Sequence, residues 1–239
     1  MAPWQVISLS HVLDPATTSV FPGDPAPELT EIATLAEHGY LLRRLTIGEH
    51  SGTHWGAPAH FDPHGCSADE LDPDDLLRPA VKIDVRAAAA ADPDYAVTVA
   101  DLHDWEERRG PIPPGAAVIA WTGWESRWGT HEFANLDDAG AMHQPGFSIE
   151  AVRWLLDTGR LHRQGALGTD TFGPDIGIDA DYTVSKLLYR EHRISLECLS
   201  GLAALPESGA WVLAGGLITA GGTGSPATVF GLMPPKTRR

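Results

Sequence analysis

Cysteine is nearly absent: Cys66 and Cys198 are the two in 239 residues, too few for a disulfide framework and in keeping with a reducing compartment. Basic side chains are also few. Seventeen Lys and Arg face 32 Asp and Glu, a net charge of -15, which excludes the basic clusters that nucleic acid or an anionic membrane surface requires. No apolar run approaches the ~18 residues of a membrane span. The N-terminal "MAPWQVISLSHVLD" lacks the basic start and apolar stretch of a secretory signal. No linker or internal repeat interrupts the chain. These absences predict a cytoplasmic protein of one domain, residues 1–239, whose partner is a small molecule or a second copy of itself.

What is present suffices for a large core, since 43% of the residues are hydrophobic. Short β-branched runs at residues 6–9, 41–50, 80–85, 116–121, 211–218 and 228–233 read as strands. Helices are expected in "TVADLHDWEERRG", with Thr98 as cap and Gly110 as stop, and in "SIEAVRWLLDTGR", whose Ile149, Val152, Leu155 and Leu156 have helical spacing. A third helix is expected from about Tyr182 to Glu191. Together these predict an α/β fold, a single layered domain with a mixed β-sheet and flanking helices. The Ala-rich "VRAAAAADPDYAV" (85–97) reads as a surface excursion and residues 233–239 as a frayed tail. "GGTGSP" (221–226) lacks the Lys-Ser/Thr ending of a phosphate loop and reads as a tight turn between strands.

The chemistry concentrates in "EHSGTHWGAPAHF" (49–61), where His50, His54 and His60 sit among small residues. Imidazoles this close either converge on one ion, share protons, or are simply hydrogen-bonded in a loop. A strand running out at about His50 into a loop containing Gly52 would bring His50 and His54 to the mouth of a sheet, with His60 closing the same loop. Glu197 follows the short strand "RISL", and facing inward it needs a metal or a histidine as partner. Of the eight tryptophans, Trp55, Trp121, Trp124 and Trp128 lie near these segments and suggest an aromatic-lined pocket, while Trp154 and Trp211 read as core. Asp170 and Asp175 in "GTDTFGPD" read either as a carboxylate pair or, preferably, as parts of a side-chain-capped turn.

"HSGTHWGAPAHF" resembles the signature of the metal-dependent cyclase family, which includes bacterial kynurenine formamidase and isatin hydrolase. "FPGDP" (21–25), "TGW" (122–124), "QPGFSIEAVRWLL" (144–156), "LGTDTFGPD" (167–175), "ISLECLSGLAALP" (194–206) and "GGTGSPATVFGL" (221–232) resemble family segments in the family's order. The resemblance implies a homo-oligomeric enzyme, a dimer or tetramer, that hydrolyses an amide, lactam or lactone bond of a small aromatic substrate. It implies His50 and His54 as ligands of a divalent metal, zinc or manganese, and His60 as the proton carrier. Two departures stand out. The family's aspartate two residues after the second histidine is here Gly56, and its histidine twelve residues before Glu197 is here Ser185. Two ions are therefore not expected. One ion on His50 and His54, completed by water or Glu197, remains open, as does none. His192 is no substitute, because seven residues along a helix displace a side chain by roughly 10 Å. The candidate catalytic set is His60, Glu197 and Thr53; the candidate substrate pocket is Trp55, Ser185, Trp124 and Phe21. The alternative function is a metal-independent cyclase or dehydratase of a polyketide-like natural-product intermediate, working by His60 acid–base catalysis. A third is a non-catalytic ligand-binding relative.

Overall fold

The structure, a computed structural model, describes residues 4–235. Along the chain come β1 (Gln5–Ser8), β2 (Glu28–Ala33), α1 (Leu35–His38), β3 (Leu42–Thr46), β4 (His54–Gly56), β5 (Leu77–Asp84), α2 (Arg86–Ala91), β6 (Ala96–Val97) and α3 (Val99–Arg109). Then follow β7 (Ala117–Trp121), β8 (Gly146–Phe147), α4 (Ile149–Asp157), β9 (Ala166–Thr169), α5 (Thr183–Leu188), β10 (Ile194–Glu197), β11 (Ala210–Ala214), β12 (Gly224–Pro226) and β13 (Val229–Met233). Nine strands form one mixed sheet in the order β1-β13-β11-β5-β7-β9-β10-β4-β12. Its centre, β5-β7-β9-β10, is parallel and its flanks are antiparallel.

Both faces of that centre are covered. On β7, Val118 and Ala120 pack with Leu102 and Trp105 of α3 and with Val152 and Leu155 of α4. Ala117, Ile119 and Trp121 point the other way, into a cluster with Trp55, Leu196 and Val212. Two-sided burial explains why β7 is apolar throughout instead of alternating. The helices begin and end where local chemistry dictates. Thr98 Oγ1 accepts from Asp101 N while the Asp101 carboxylate accepts from Thr98 N, and Gly110 ends α3 at φ +88°. Ser148 caps α4 one way only, its Oγ accepting from Ala151 N. The predicted α/β domain with a mixed sheet is the fold observed.

Several boundaries differ. The 85–97 stretch contains the helix α2, because its alanines are the best helix formers. The strand expected at 41–50 ends at Thr46, leaving His50 in a turn, and the one expected at 211–218 ends at Ala214. The helix expected over 182–191 is only Thr183–Leu188. "GGTGSP" turns at residues 220–221 and then supplies β12, which pairs with β4. Met233, assigned to the tail, pairs with Gln5 in β13; the tail residues 236–239 lie outside the described residues. Among the described residues no helix is long and apolar enough to cross a membrane.

Candidate active site

The register of one strand pair builds the centre. In the antiparallel pairing of β4 with β10, Glu197 lies opposite His54 and Ser195 opposite Gly56. Cross-strand partners share a sheet face, so all four positions look the same way, while Trp55 between them points into the core. Ahead of β4 the chain turns through Gly52 at φ +67°, a conformation that suits glycine. The turn brings the His50 ring to 5.2 Å from that of His54. After β4, a short turn of helix (Pro58–His60) returns His60 to stack on His50 at 3.7 Å. The loop thus gathers all three histidines.

Their hydrogen bonds assign different states to each. His54 Nδ1 donates to Gly52 O at 2.9 Å, and Nε2 lies 3.2 Å from Glu197 Oε2, off the line of a well-formed hydrogen bond. Burial alone would lower the His54 pKa, but the Glu197 carboxylate raises it above its ordinary value. Burial alone would raise the Glu197 pKa, but the adjacent His54 imidazole and the hydrogen bond from Ser195 hold it below its ordinary value. The two therefore form a buried charged pair. His50 is held differently. Glu49 Oε2 accepts from Thr223 Oγ1, which in turn lies 2.9 Å from His50 Nε2 and accepts its proton. Burial, and then the neighbouring His54 and His60, push the His50 pKa down to about 3. Burial likewise lowers the pKa of His60, which is neutral at pH 7. Among the described residues nothing hydrogen-bonds the His60 ring, so its nitrogens are free for the cavity it lines.

That cavity, about 740 Å³, lies at the carboxyl ends of β9 and β10, where α/β sheets open for ligands. Phe21, Phe61, Phe172 and Tyr182 supply flat apolar wall. Asp24, Glu49, Asp175, Asp179 and Glu197 supply carboxylates, and among the described residues no Lys or Arg lines it. Four of these acids are engaged with serine or threonine hydroxyls: Glu49 with Thr219 and Thr223, Asp175 with Ser185, Asp179 with Thr183, Glu197 with Ser195. Asp24 is exposed and faces the cavity.

Of the pocket residues expected from sequence, Phe21 and Ser185 are on the wall. Trp55 and Trp124 are not. Trp55 is fully buried with its indole N–H donating to Gly215 O, and Trp124 donates to Phe133 O in the aromatic cluster behind the Phe21 and Phe172 wall. Alternation along β4 turns Trp55 away from its neighbours. Thr53 is also absent from the cavity. Its hydroxyl donates to Cys198 O at 2.6 Å and accepts from His11 N at 2.9 Å, which ties three segments together. Asp170 accepts from Thr122 and Glu125 as a buried turn cap, as preferred. His192 lies beside Asp75 at the opposite end of the parallel strands. Sequence reasoning missed Tyr189, Ser195, Thr223 and Asp24. The alternation "ISLE" placed Ser195 and Glu197 on one face, a usable signal; nothing local pointed to Tyr189.

The residues do not fit the metal site that the resemblance implies. A catalytic ion takes three protein donors and leaves a position open. Here His54 Nε2 and Glu197 Oε2 converge, but His50 Nε2 is turned onto Thr223. Gly56 offers no atom, and the Ser185 hydroxyl is donated to Asp175. Among the described residues, three His, Cys, Asp or Glu donors come within 4.8 Å of one another only at Asp72, Asp75 and His192. That cluster is part of the fold: Asp75 accepts from Arg78 and from Asp72 N in a capping box.

Known proteins share the fold and the ordered segments. Residues 7–176 match the family described as "Putative cyclase". The chain is 33% identical to isatin hydrolase of Roseibium aggregatum over 96% of its own length and 92% of the relative's. It is 36% identical to kynurenine formamidase of Salinibacter ruber, over 35% of this chain and 40% of that protein. A crystal structure of an isatin hydrolase bound to the product analogue thioisatinate superposes with a TM-score of 0.87 at 30% identity, covering 97% of this chain and 93% of that one. With the histidine loop, the mixed sheet and the ordered segments all accounted for, the chain belongs to the cyclase family.

Proposed function

We propose that this protein is a hydrolase, kynurenine formamidase-like in family, that adds water to an amide, lactam or lactone carbonyl of a small aromatic substrate. The observation that carries the reading is the neutral, unbonded His60 at the edge of a cavity walled by flat apolar rings. A neutral imidazole near pH 7 suits a general base. His60 takes a proton from water as its oxygen bonds the carbonyl carbon, and returns that proton to the nitrogen or oxygen released when the C–N or C–O bond breaks. Among the described residues no third donor joins His54 and Glu197, so the steps proposed here use no metal. Orientation and proton transfer then suffice only for an activated ring carbonyl. The five wall carboxylates favour a neutral or cationic substrate and repel the carboxylate product.

The test uses isatin and simple aryl lactones in ¹⁸O-enriched water. Hydrolysis places one ¹⁸O in the new carboxylate, and His60→Ala abolishes it; no turnover of any ring by the wild type removes the reading. One observation favours a second reading, a metal-independent cyclase or dehydratase of a natural-product intermediate. Both departures from the family's ligands leave a set suited to proton shuttling. Its product carries no solvent oxygen, so the same experiment separates the two. We further place the enzyme in the cytoplasm as a homodimer or homotetramer. In support, the β2–β3 ribbon and its connection expose Ile32, Leu35, Tyr40, Leu41, Leu42 and Leu45.

A further inference from the structure

The position left by the family's missing carboxylate is filled. A Cβ on Gly56 would lie 2.2 Å from the Tyr189 hydroxyl oxygen and 2.8 Å from Ser195 Oγ, closer than any side chain tolerates. Residue 56 therefore cannot carry even a methyl group while Tyr189 stays in place. Tyr189 follows the last turn of α5, is 2% exposed, and stacks on Phe61 at 5.9 Å. Phe61 in turn abuts the His60 ring at 4.6 Å. The Tyr189 hydroxyl lies 2.7 Å from Ser195 Oγ, which also accepts from Gly56 N. Ser195 Oγ then donates to Glu197 Oε1, and Glu197 Oε2 faces His54. With Ser195 donating onward, the Tyr189 phenol is the donor at the head of the chain. From Tyr189 through Ser195 to Glu197 Oε1 each hydroxyl is hydrogen-bonded, the condition under which a buried network orients its members.

We infer that Tyr189 is a positioning residue that takes the place of the family's carboxylate, its hydroxyl fixing Glu197 through Ser195, so that a tyrosine hydroxyl here and a metal-binding acid at position 56 exclude one another. Gly56 and Tyr189 form one exchange, and the loss of the ion site is a constructed feature of this pocket. The inference rests on the hydrolase reading only where it concerns rate; the steric exclusion stands apart from it.

Two sets of variants test it. Tyr189→Phe removes one oxygen and should lower kcat on isatin about tenfold, the loss of a charge-linked hydrogen bond, with KM unchanged and the melting temperature within a few degrees. An unchanged kcat overturns the positioning role. The second set compares the wild type with Gly56→Asp, Tyr189→Leu and the double variant, by melting temperature and by zinc content after incubation with the metal alone and desalting. Gly56→Asp should melt well below the wild type and hold no zinc. In the double variant, where the phenol is gone, the melting temperature should recover above that of Gly56→Asp and zinc should approach one equivalent. Zinc uptake by Gly56→Asp alone with the melting temperature preserved overturns the exclusion, and so do purely additive losses of stability in the double variant. Melting and metal content need no substrate, so they decide the exchange even if no ring is hydrolysed.

Discussion

At the scale of single residues, the site separates groups that meet the cavity from groups that hold it. His60→Ala should reduce turnover by ~10²-fold or more and lower the melting temperature only by the loss of its stacking on His50 and Phe61, since the ring makes no hydrogen bond; comparing kcat with thermal melts checks this. Thr53→Val should do the opposite. Removing a hydroxyl that joins His11 N to Cys198 O costs about 1–3 kcal/mol of stability in urea unfolding, with kcat of the folded enzyme preserved. From sequence, Thr53 was indistinguishable from a catalytic hydroxyl because it lies between two site histidines. The direction of its side chain depends on His11 and on residue 198, far along the chain. Family-like segments grouped His50, His54, His60, Glu197 and Phe21, and spacing to Glu197 added Ser185; the structure puts all six on the wall of one cavity. Trp55 was misplaced although it lies within that motif, because a three-residue strand was too short to reveal its alternation.

At the scale of elements, register does most of the work. Pairing β4 with β10 places His54 against Glu197, and a slip of β10 by one residue would turn Glu197 to the opposite face, away from His54. The long elements were legible: α3 and α4 announced themselves by caps and spacing, and β5, β7 and β13 by apolar runs. The short site strands β4 and β12 were not, since three residues carry no periodicity and their pairing is set by partners up to about 170 positions away. The β2–β3 ribbon makes its own prediction. A narrow two-stranded ribbon with exposed leucines is marginal in water, which supports the proposed homo-oligomer: Leu42→Glu with Leu45→Glu should then shift sedimentation to a smaller species. Unchanged sedimentation would contradict a subunit contact through the ribbon.

For the molecule as a whole, two features follow from burial and charge. The His11 ring stacks on Trp128 at 4.1 Å, and burial pushes its pKa down to about 4 from an ordinary 6.5. The unfolded chain therefore binds a proton in that window which the folded chain refuses, so stability falls as the pH drops from about 6.5 towards 4. His11→Phe, which keeps the stack, should flatten that part of the pH–stability curve; an unaltered slope would show that other groups govern it. The low cation content, evident in composition, reappears as a cavity walled by carboxylates without Lys or Arg. The reaction proposed is ring hydrolysis by proton transfer without a resident ion. Its most direct test is the rate of isatin hydrolysis by untagged protein whose metal content is measured in the same sample, before and after chelation. Substoichiometric metal and a rate indifferent to chelator are predicted. Activity that disappears with the chelator and returns in proportion to added zinc or manganese would contradict it.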